Sequence, residues 1–418
     1  MRKLLVGVIA LGLAAVGTAS AAGATPHTDH RFTIAVYGDS PYGNSQTSPP
    51  DTRLYDASPG FINTINGDPD VSLVAHVGDI HSGKEFCTEA YDNKIKALWG
   101  AFDGPLVYTP GDNEWSDCHK PGEGGGKWAT AADGSKFIDF NCTGCFGDVD
   151  YARGNPLDNL ALVRSLFFPR PGKTLGGSNF KVSSQAKQYD HNFPTDKQFV
   201  ENVQWEQNDI VFVTLNIPGG SNDDADPWYG SGTPTSSPLP QQQADERAQR
   251  QGADLRWLDA AFGAATKGEA KAVVILEQAD MWDTDGKANH LGNYEPYVAS
   301  IASYTSAFGK PVLLFNGDSH IYRSDDPLQS GAPCTMENQA TRTETTCAQA
   351  ATDNPTLNIT ADAWQNHPSY NVANFHRVTV HGSSSLEWLK LDIDPDASNP
   401  PSSTSFGPFA WAREPYTL

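Results

Sequence analysis

Four times in this 418-residue chain an apolar run ends directly in Gly-Asp. The runs are Ile34–Tyr37 before Gly38-Asp39, Val74–Val77 before Gly78-Asp79, Val107–Pro110 before Gly111-Asp112, and Leu313–Asn316 before Gly317-Asp318. Short runs of this kind read as strands covered on both faces. Glycine lets the backbone turn sharply where the strand stops. The aspartate then projects from the strand's carboxyl end, the edge at which α/β sheets hold ligands. Any one of these aspartates alone reads as a helix cap or a turn. Four converging on one edge would raise one another's pKa and cost stability unless cations offset them. Two divalent ions bring four positive charges against four negative ones, so a two-metal hydrolytic site is the direct reading. Gly67-Asp68 and Gly147-Asp148 lack the preceding run and read as turns.

The surrounding pattern supports an α/β chain. Further strands are expected at Asp209–Ile217 and Ala270–Leu276, and helices at Thr88–Phe102, Pro156–Phe167, Gln241–Ala265 and Tyr294–Phe308. Near the end, Phe375–Val380 and Leu386–Ile393 alternate around His381–Ser385, which predicts an antiparallel hairpin with one face buried. Two Gly-rich stretches, 120–147 and 218–240, read as long loop insertions. No internal repeat or clean domain boundary interrupts residues 22–418, which are expected to form a single domain.

Residues 1–21 read differently. Arg2 and Lys3 precede the apolar run Leu4–Val16, and Ala19-Ser20-Ala21 offers a small-residue cleavage site. This is the pattern of a secretory signal peptide, and the run is shorter than the ~20 residues a spanning helix needs. The expected location is secreted or periplasmic, with no membrane association after signal removal. In such a compartment six cysteines favour disulfides. The expected pairs are Cys87–Cys118, Cys142–Cys145 and Cys334–Cys347, although sequence alone leaves the connectivity open. The formal net charge is −21, which argues against nucleic acid or an anionic membrane as partner. No Walker A, GxGxxG, GxSxG or HExxH motif is present. Ser184-Gln-Ala-Lys187 matches SxxK without the companion motifs that would give it meaning. Trp115, Trp128, Trp228, Trp282 and Trp364 sit in loop-like contexts, where packing is the commoner role and cleft lining the alternative.

The order of the Gly-Asp blocks resembles the calcineurin-like metallophosphoesterases, the superfamily that includes purple acid phosphatases. Their usual pattern is Asp-x-His, Gly-Asp, Gly-Asn-His-Asp/Glu, a lone His and Gly-His-x-His. Counterparts run in order from Asp39 to His320, and Tyr108–Trp115 is the most specific stretch. The resemblance implies a four-layer αββα sandwich with mixed sheets and long loops, and it marks a divergent secreted branch. The departures are systematic. Pro41 replaces the first His ligand, Asp112 the Asn ligand, Asn113 the His that assists the leaving group, Gln278 the lone His and Asp318 the first His of the last block.

The candidate metal ligands implied are Asp39, Asp79, Asp112, Gln278, Asp318 and His320. Oxygen has replaced nitrogen throughout, which favours one or two ions of Mg²⁺, Mn²⁺ or Ca²⁺ over zinc or iron. The expected activity is hydrolysis of small phosphate esters by a metal-activated water. Asn113 donates hydrogen bonds but yields no proton at neutral pH. His81, two residues after Asp79, is the nearest alternative acid, with a solvated loop histidine as the plainer reading. The competing expectation is a catalytically inactive protein of the same fold that binds Ca²⁺ or another ligand.

Overall fold

The computed structural model describes residues 30–124, 127–130, 132, 134, 136–139, 154–223, 227–228, 241–283, 291–357 and 370–418. Cys142 and Cys145 and the proposed signal segment lie outside the described residues, as do residues 140–147 of the first loop insertion and 229–240 of the second. In chain order the elements are β1 (Phe32–Tyr37), α1 (Arg53–Asn66), β2 (Val71–His76), α2 (Glu89–Trp99), β3 (Pro105–Tyr108), β4 (Lys127–Thr130), β5 (Lys136–Asp139), α3 (Pro156–Phe167), β6 (Leu175–Gly176), β7 (Ser183–Ser184), β8 (Val203–Gln207) and β9 (Ile210–Thr214). They continue with α4 (Gln241–Lys267), β10 (Ala272–Leu276), α5 (Glu295–Phe308), β11 (Val312–Asn316), β12 (Arg323–Asp325), β13 (Thr335–Glu337), β14 (Glu344–Thr346), α6 (Cys347–Asp353), β15 (Phe375–Thr379), β16 (Leu386–Ile393), β17 (Ser405–Phe406) and β18 (Phe409–Tyr416).

Two mixed sheets carry the fold. The first has the order β17-β18-β16-β1-β2-β3-β6 and the second β14-β13-β12-β15-β11-β10-β9-β8-β7. β1, β2 and β3 are parallel neighbours, as are β9, β10, β11 and β15. One apolar cluster joins the sheets face to face: Ile34, Val36 and Leu391 from the first meet Phe212, Val274 and Phe315 from the second. The outer face of the first sheet packs on α1, α2 and α3 through Phe61, Ile95, Trp99 and Val163. The outer face of the second packs on α4 and α5 through Trp257, Phe262, Tyr297 and Ile301. The layers therefore run α, β, β, α, with each sheet buried on both faces, which is why the central strands are continuously apolar.

Local signals set the helix starts. Asn155 accepts from the amides of Leu157 and Asp158 ahead of Pro156 at the first turn of α3, and Thr88 accepts from Tyr91 N at the start of α2. Cys87–Cys118 and Cys334–Cys347 are disulfide-bonded. No helix among the described residues is long and apolar enough to cross a membrane.

The expected terminal hairpin is corrected. β15 joins the second sheet beside β11 in parallel, whereas β16 joins the first sheet antiparallel to β1. Gly382 and Ser383, with φ of 60° and 57°, turn the chain from one sheet to the other. Every residue of β15 and six of the eight in β16 are buried, which a hairpin with one wetted face would not allow.

The packing between the sheets sets a stability expectation. Phe315 is fully buried there, so Phe315→Ala should cost about 3–5 kcal/mol. Urea unfolding followed by tryptophan fluorescence measures it; a loss under about 1 kcal/mol would contradict the inter-sheet core described here.

Candidate active site

All the candidate ligands lie just past the carboxyl ends of parallel strands. Asp39 follows β1, Asp79 β2, Asp112 β3, Gln278 β10, and Asp318 and His320 β11. Asp39, Asp79, Asp318 and His320 adopt left-handed backbone, with φ of 49°, 56°, 71° and 56°. Asp tolerates that region better than most side chains. Glycines leave the room. A Cβ on Gly111 would lie 2.0 Å from Asp79 Oδ1, and one on Gly317 2.1 Å from Asp39 Oδ2.

The carboxylates form two linked groups. In the first, ligand atoms of Asp39, Asp79 and His320 lie within 4.8 Å of one another. The Tyr42 hydroxyl donates to Asp79 Oδ2 at 2.7 Å and lies 3.0 Å from His320 Nε2 and 3.4 Å from Asp39 Oδ1. Asp39 Oδ1 also accepts from the Asp318 amide at 2.9 Å, while its Oδ2 is buried with no hydrogen-bond partner. In the second group, Gln278 Nε2 donates to Asp112 Oδ1 at 3.0 Å, and Gln278 Oε1 accepts from Gly219 N at 2.5 Å. Gly219 lies against both Asp112 and Asp318, since a Cβ there would come within 2.8 Å of Asp112 Oδ2 and 2.6 Å of Asp318 Oδ1.

Burial and mutual repulsion raise the pKa of Asp79, Asp112 and Asp318. Burial and then Asp112, Glu114 and Asp39 push Asp79 well above the carboxylate range. Burial and then Asp112 do the same to Asp318. Burial and then Asp117 carry Asp112 to about 7. At His320 burial lowers the pKa, but the hydrogen bond and charge of Asp39 outweigh it and the net shift is upward. An orphaned buried carboxylate oxygen and three acids held above their ordinary range form a donor set that fits a cation.

Sequence reasoning missed three contributors. Tyr42 lies three residues beyond Asp39, past the Pro41 that takes the place of a histidine. Gly219 opens a left-handed turn in which Gly220, Ser221, Asn222 and Asp223 all have φ between 57° and 66°. The Arg250 guanidinium on Asn222 Oδ1 and the Trp228 indole on Asp223 Oδ1 hold that turn. Asp280, two residues beyond Gln278, is the hub of a buried ion lattice. Its amide donates to Asp318 Oδ2, and its carboxylate takes Arg323 at 2.5 Å and Arg377 at 2.6 Å. Arg377 grips Asp325 through two further bonds. This lattice ties the loops after β10 and β11, which carry Gln278, Asp318 and His320.

Both residues expected to act on the leaving group are placed differently. Asn113 Nδ2 donates to Asp79 Oδ2 and to the His81 carbonyl, both at 2.9 Å, so it orients Asp79. The His81 ring is fully buried against Tyr91 and the Cys87 sulfur, and burial lowers its pKa to about 4. A ring that is neutral and turned toward the disulfide is no proton donor to this cluster. Glu114 accepts from Tyr108 and from the Gly111 amide, bracing the turn that carries Asp112. Trp115, Trp228 and Trp282 are buried in the packing. Ser184 donates to the Val200 carbonyl and Lys187 to the Pro171 carbonyl, so the SxxK residues form no catalytic pair. Beside Tyr42 and His320 a cleft of about 490 Å³ opens between residues 43–44, 51–54, 82–84 and 383–384.

No family model and no curated protein matches the chain. Among solved structures it is similar to a purple acid phosphatase isolated from yellow lupin (Lupinus luteus) seeds, at 9% identity and a TM-score of 0.40. That alignment covers 87% of this chain and 49% of the lupin protein, so the chain spans about half the length of the protein it matches.

Two measurements check the electrostatics. Arg377→Met leaves Asp280 and Asp325 short of a buried partner and should cost about 3–5 kcal/mol in denaturant unfolding; a neutral result would show that the lattice is dispensable. The pH dependence follows from the raised carboxyl pKa values. Between about pH 4 and pH 7 the native chain binds more protons at Asp112 than the unfolded chain does, so its stability falls as pH rises through that window. Asp79 and Asp318 act in the same direction. The melting temperature of EDTA-treated protein should therefore drop between about pH 5 and pH 8, and added Mn²⁺ should recover more of it at pH 8 than at pH 5.

Proposed function

We infer that the protein is an exported metal-dependent phosphoesterase acting on small phosphate compounds. The observation that carries this reading is the unpartnered, buried Asp39 Oδ2 beside Asp79 and His320. Asp39, Asp79, Tyr42 and His320 would hold one cation, and Asp112 and Asp318 would face a second, with Gln278 positioning Asp112 through its Nε2. Carboxylate and phenol oxygens favour Mg²⁺, Mn²⁺ or Ca²⁺. When bound, such a cation supplies Lewis acidity toward phosphoryl oxygens and makes water a stronger acid.

The chain's own residues do the rest. Asn113 and Tyr42 fix the Asp79 carboxylate through its Oδ2. The Asp280 amide fixes Asp318. The cleft beside Tyr42 and His320 receives the departing part of the substrate. Export is supported by the amino-terminal segment and by the two disulfides.

A second reading, a ligand-binding protein without catalysis, draws on one specific observation. Tyr42 and Asn113 already satisfy Asp79 by hydrogen bonds, and neither Asn113 nor His81 is placed to give a proton.

The deciding experiment measures bound metal in the purified mature chain and assays aryl phosphate mono- and diesters with Mn²⁺, Mg²⁺ or Ca²⁺. Turnover should be metal-dependent and should fall by about 10²-fold or more in Asp79→Asn. Tyr42→Phe should weaken metal affinity by about tenfold. Metal-dependent stabilisation without turnover would establish the binding protein instead, and unchanged metal binding in Asp79→Asn would refute the site.

A further inference from the structure

We propose that Cys87, Cys118, His81 and Glu123 form a redox-gated zinc site. The two cysteines are a disulfide under oxidising conditions and, once reduced, bind Zn²⁺ together with His81 and Glu123. The site is separate from the strand-end cluster, and the proposal stands or falls independently of the phosphoesterase reading.

The arrangement begins in the backbone. The Cys87 amide donates to the Glu123 carbonyl at 3.0 Å, which brings the start of the first insertion against the turn after Asp79. All four side chains meet there, and all four residues are buried. His81 Nε2 lies 3.8 Å from Cys87 Sγ, and Glu123 Oε2 lies 3.9 Å from it. Ligand atoms of His81, Cys87 and Glu123 all lie within 4.8 Å of one another, and Cys118 is bonded to Cys87. A zinc tetrahedron with bonds of about 2.0–2.3 Å spaces its ligand atoms about 3.3–3.8 Å apart. His81 and Glu123 are already near that spacing from Cys87, and the two sulfurs must part to reach it.

What these groups lack points to a ligand. A disulfide sulfur has no proton to donate, yet acceptors converge on this one. His81 Nδ1 donates to the Ser82 carbonyl at 3.3 Å, which leaves the Nε2 lone pair facing Cys87. Among the described residues neither His81 Nε2 nor Glu123 Oε2 has a hydrogen-bond donor, and each faces Cys87 Sγ. Buried acceptors without donors are costly. A cation held by both sulfurs satisfies the imidazole and the carboxylate together. Paired thiolates with an imidazole select zinc over the oxygen-preferring ions expected at the strand ends.

The redox step balances. A dithiol gives up two electrons and two protons, and its own sulfurs join as the Cys87–Cys118 bond breaks into two thiols. Zn²⁺ displaces both thiol protons to solvent and bonds to the two sulfurs, His81 Nε2 and Glu123 Oε2. A small disulfide oxidant reverses this. It takes two electrons from the thiolates and two protons from solvent, the sulfur–sulfur bond re-forms and Zn²⁺ leaves. Both cysteine sulfurs lie against the Asn113 carbonyl, at 3.3 and 3.6 Å, and the Asn113 side chain donates to Asp79 Oδ2. Either cross-link therefore keeps this corner closed.

The test refolds the mature chain from urea with a phosphine reductant, with Zn²⁺ or Co²⁺ added or withheld. The reduced chain should fold with zinc, hold it against a chromophoric chelator and release it when the disulfide is re-formed. The Co²⁺ form should show thiolate-to-metal charge-transfer absorption, to which the strand-end site, having no thiolate, cannot contribute. Cys87→Ser/Cys118→Ser should abolish that absorption, and Glu123→Gln and His81→Gln should each weaken zinc binding by about tenfold. Oxidised Glu123→Gln should melt no lower than the oxidised wild type, because it loses a carboxylate that has no donor; its loss of zinc is then not a folding defect. A reduced chain that stays unfolded with zinc overturns the proposal, as does one that folds without charge-transfer absorption. Absorption that survives in Cys87→Ser/Cys118→Ser assigns the metal to other cysteines. Zinc affinity unchanged in both Glu123→Gln and His81→Gln refutes the ligand set.

Discussion

Everything near the strand ends answers to one constraint: four aspartates are held closer together than free carboxylates would settle. Asp39 and Asp79 are almost fully buried, and Asp112 and Asp318 lie within charge range of them. The backbone is arranged to permit this. Gly111, Gly317 and Gly219 give up side chains where an added Cβ would strike a carboxylate. Gly219 begins a turn of successive left-handed residues, a conformation that persists only when its neighbours over-determine it. Here Gln278, Arg250 and Trp228 do so.

The support below is of a different kind. Asp280, Arg323, Arg377 and Asp325 form an ion lattice almost wholly out of water. Burial disfavours the ionised Asp280, but Arg323 and Arg377 hold its pKa below the ordinary range. Such lattices contribute little net stability over apolar packing, yet breaking one strands a buried charge. Its use here is geometric. Arg377 lies on β15 and Arg323 opens β12, while Asp280 lies beyond β10, so the lattice fixes the loops that deliver the later ligands. The lower acids are neutralised by arginines, and the upper ones are left for something else to neutralise.

Most of the scaffold was legible in the sequence because burial on both faces writes itself as continuous apolar runs. α3 falls on its expected span, β9 and β10 lie within theirs, and β1, β2, β3 and β11 overlap the apolar runs that end in the Gly-Asp turns. The Gly-Asp turns placed four acids at the correct edge without any structure. What failed was local pattern without its partner. Phe375–Val380 and Leu386–Ile393 look like a hairpin because they are adjacent and alternating, and nothing local says that each pairs in a different sheet. Tyr42 was missed because a motif was sought at Pro41, and the phenol enters from one position further on. His81 was misplaced because proximity to Asp79 in sequence does not show which way a ring turns; the Cys87 sulfur and Tyr91 set that. Asp280 carried no motif at all, since its role depends on two arginines distant in sequence.

The acid excess of the whole chain and the cations of the cleft are compatible once distance is considered. At physiological ionic strength charges separated by more than about 8 Å are largely screened. The acids spread over the exterior therefore slow a polyanion's approach without setting its affinity. Inside the cleft, Lys84 lies on the wall beside the Arg53–Asp51 pair, and Arg342, ion-paired to Glu337, reaches Ser384 at the rim. The repulsive aspartates lie deeper, where a cation would offset them. On the phosphoesterase reading proposed above, a small phosphate compound would be held there only while that cation is bound, because bare carboxylates would repel it.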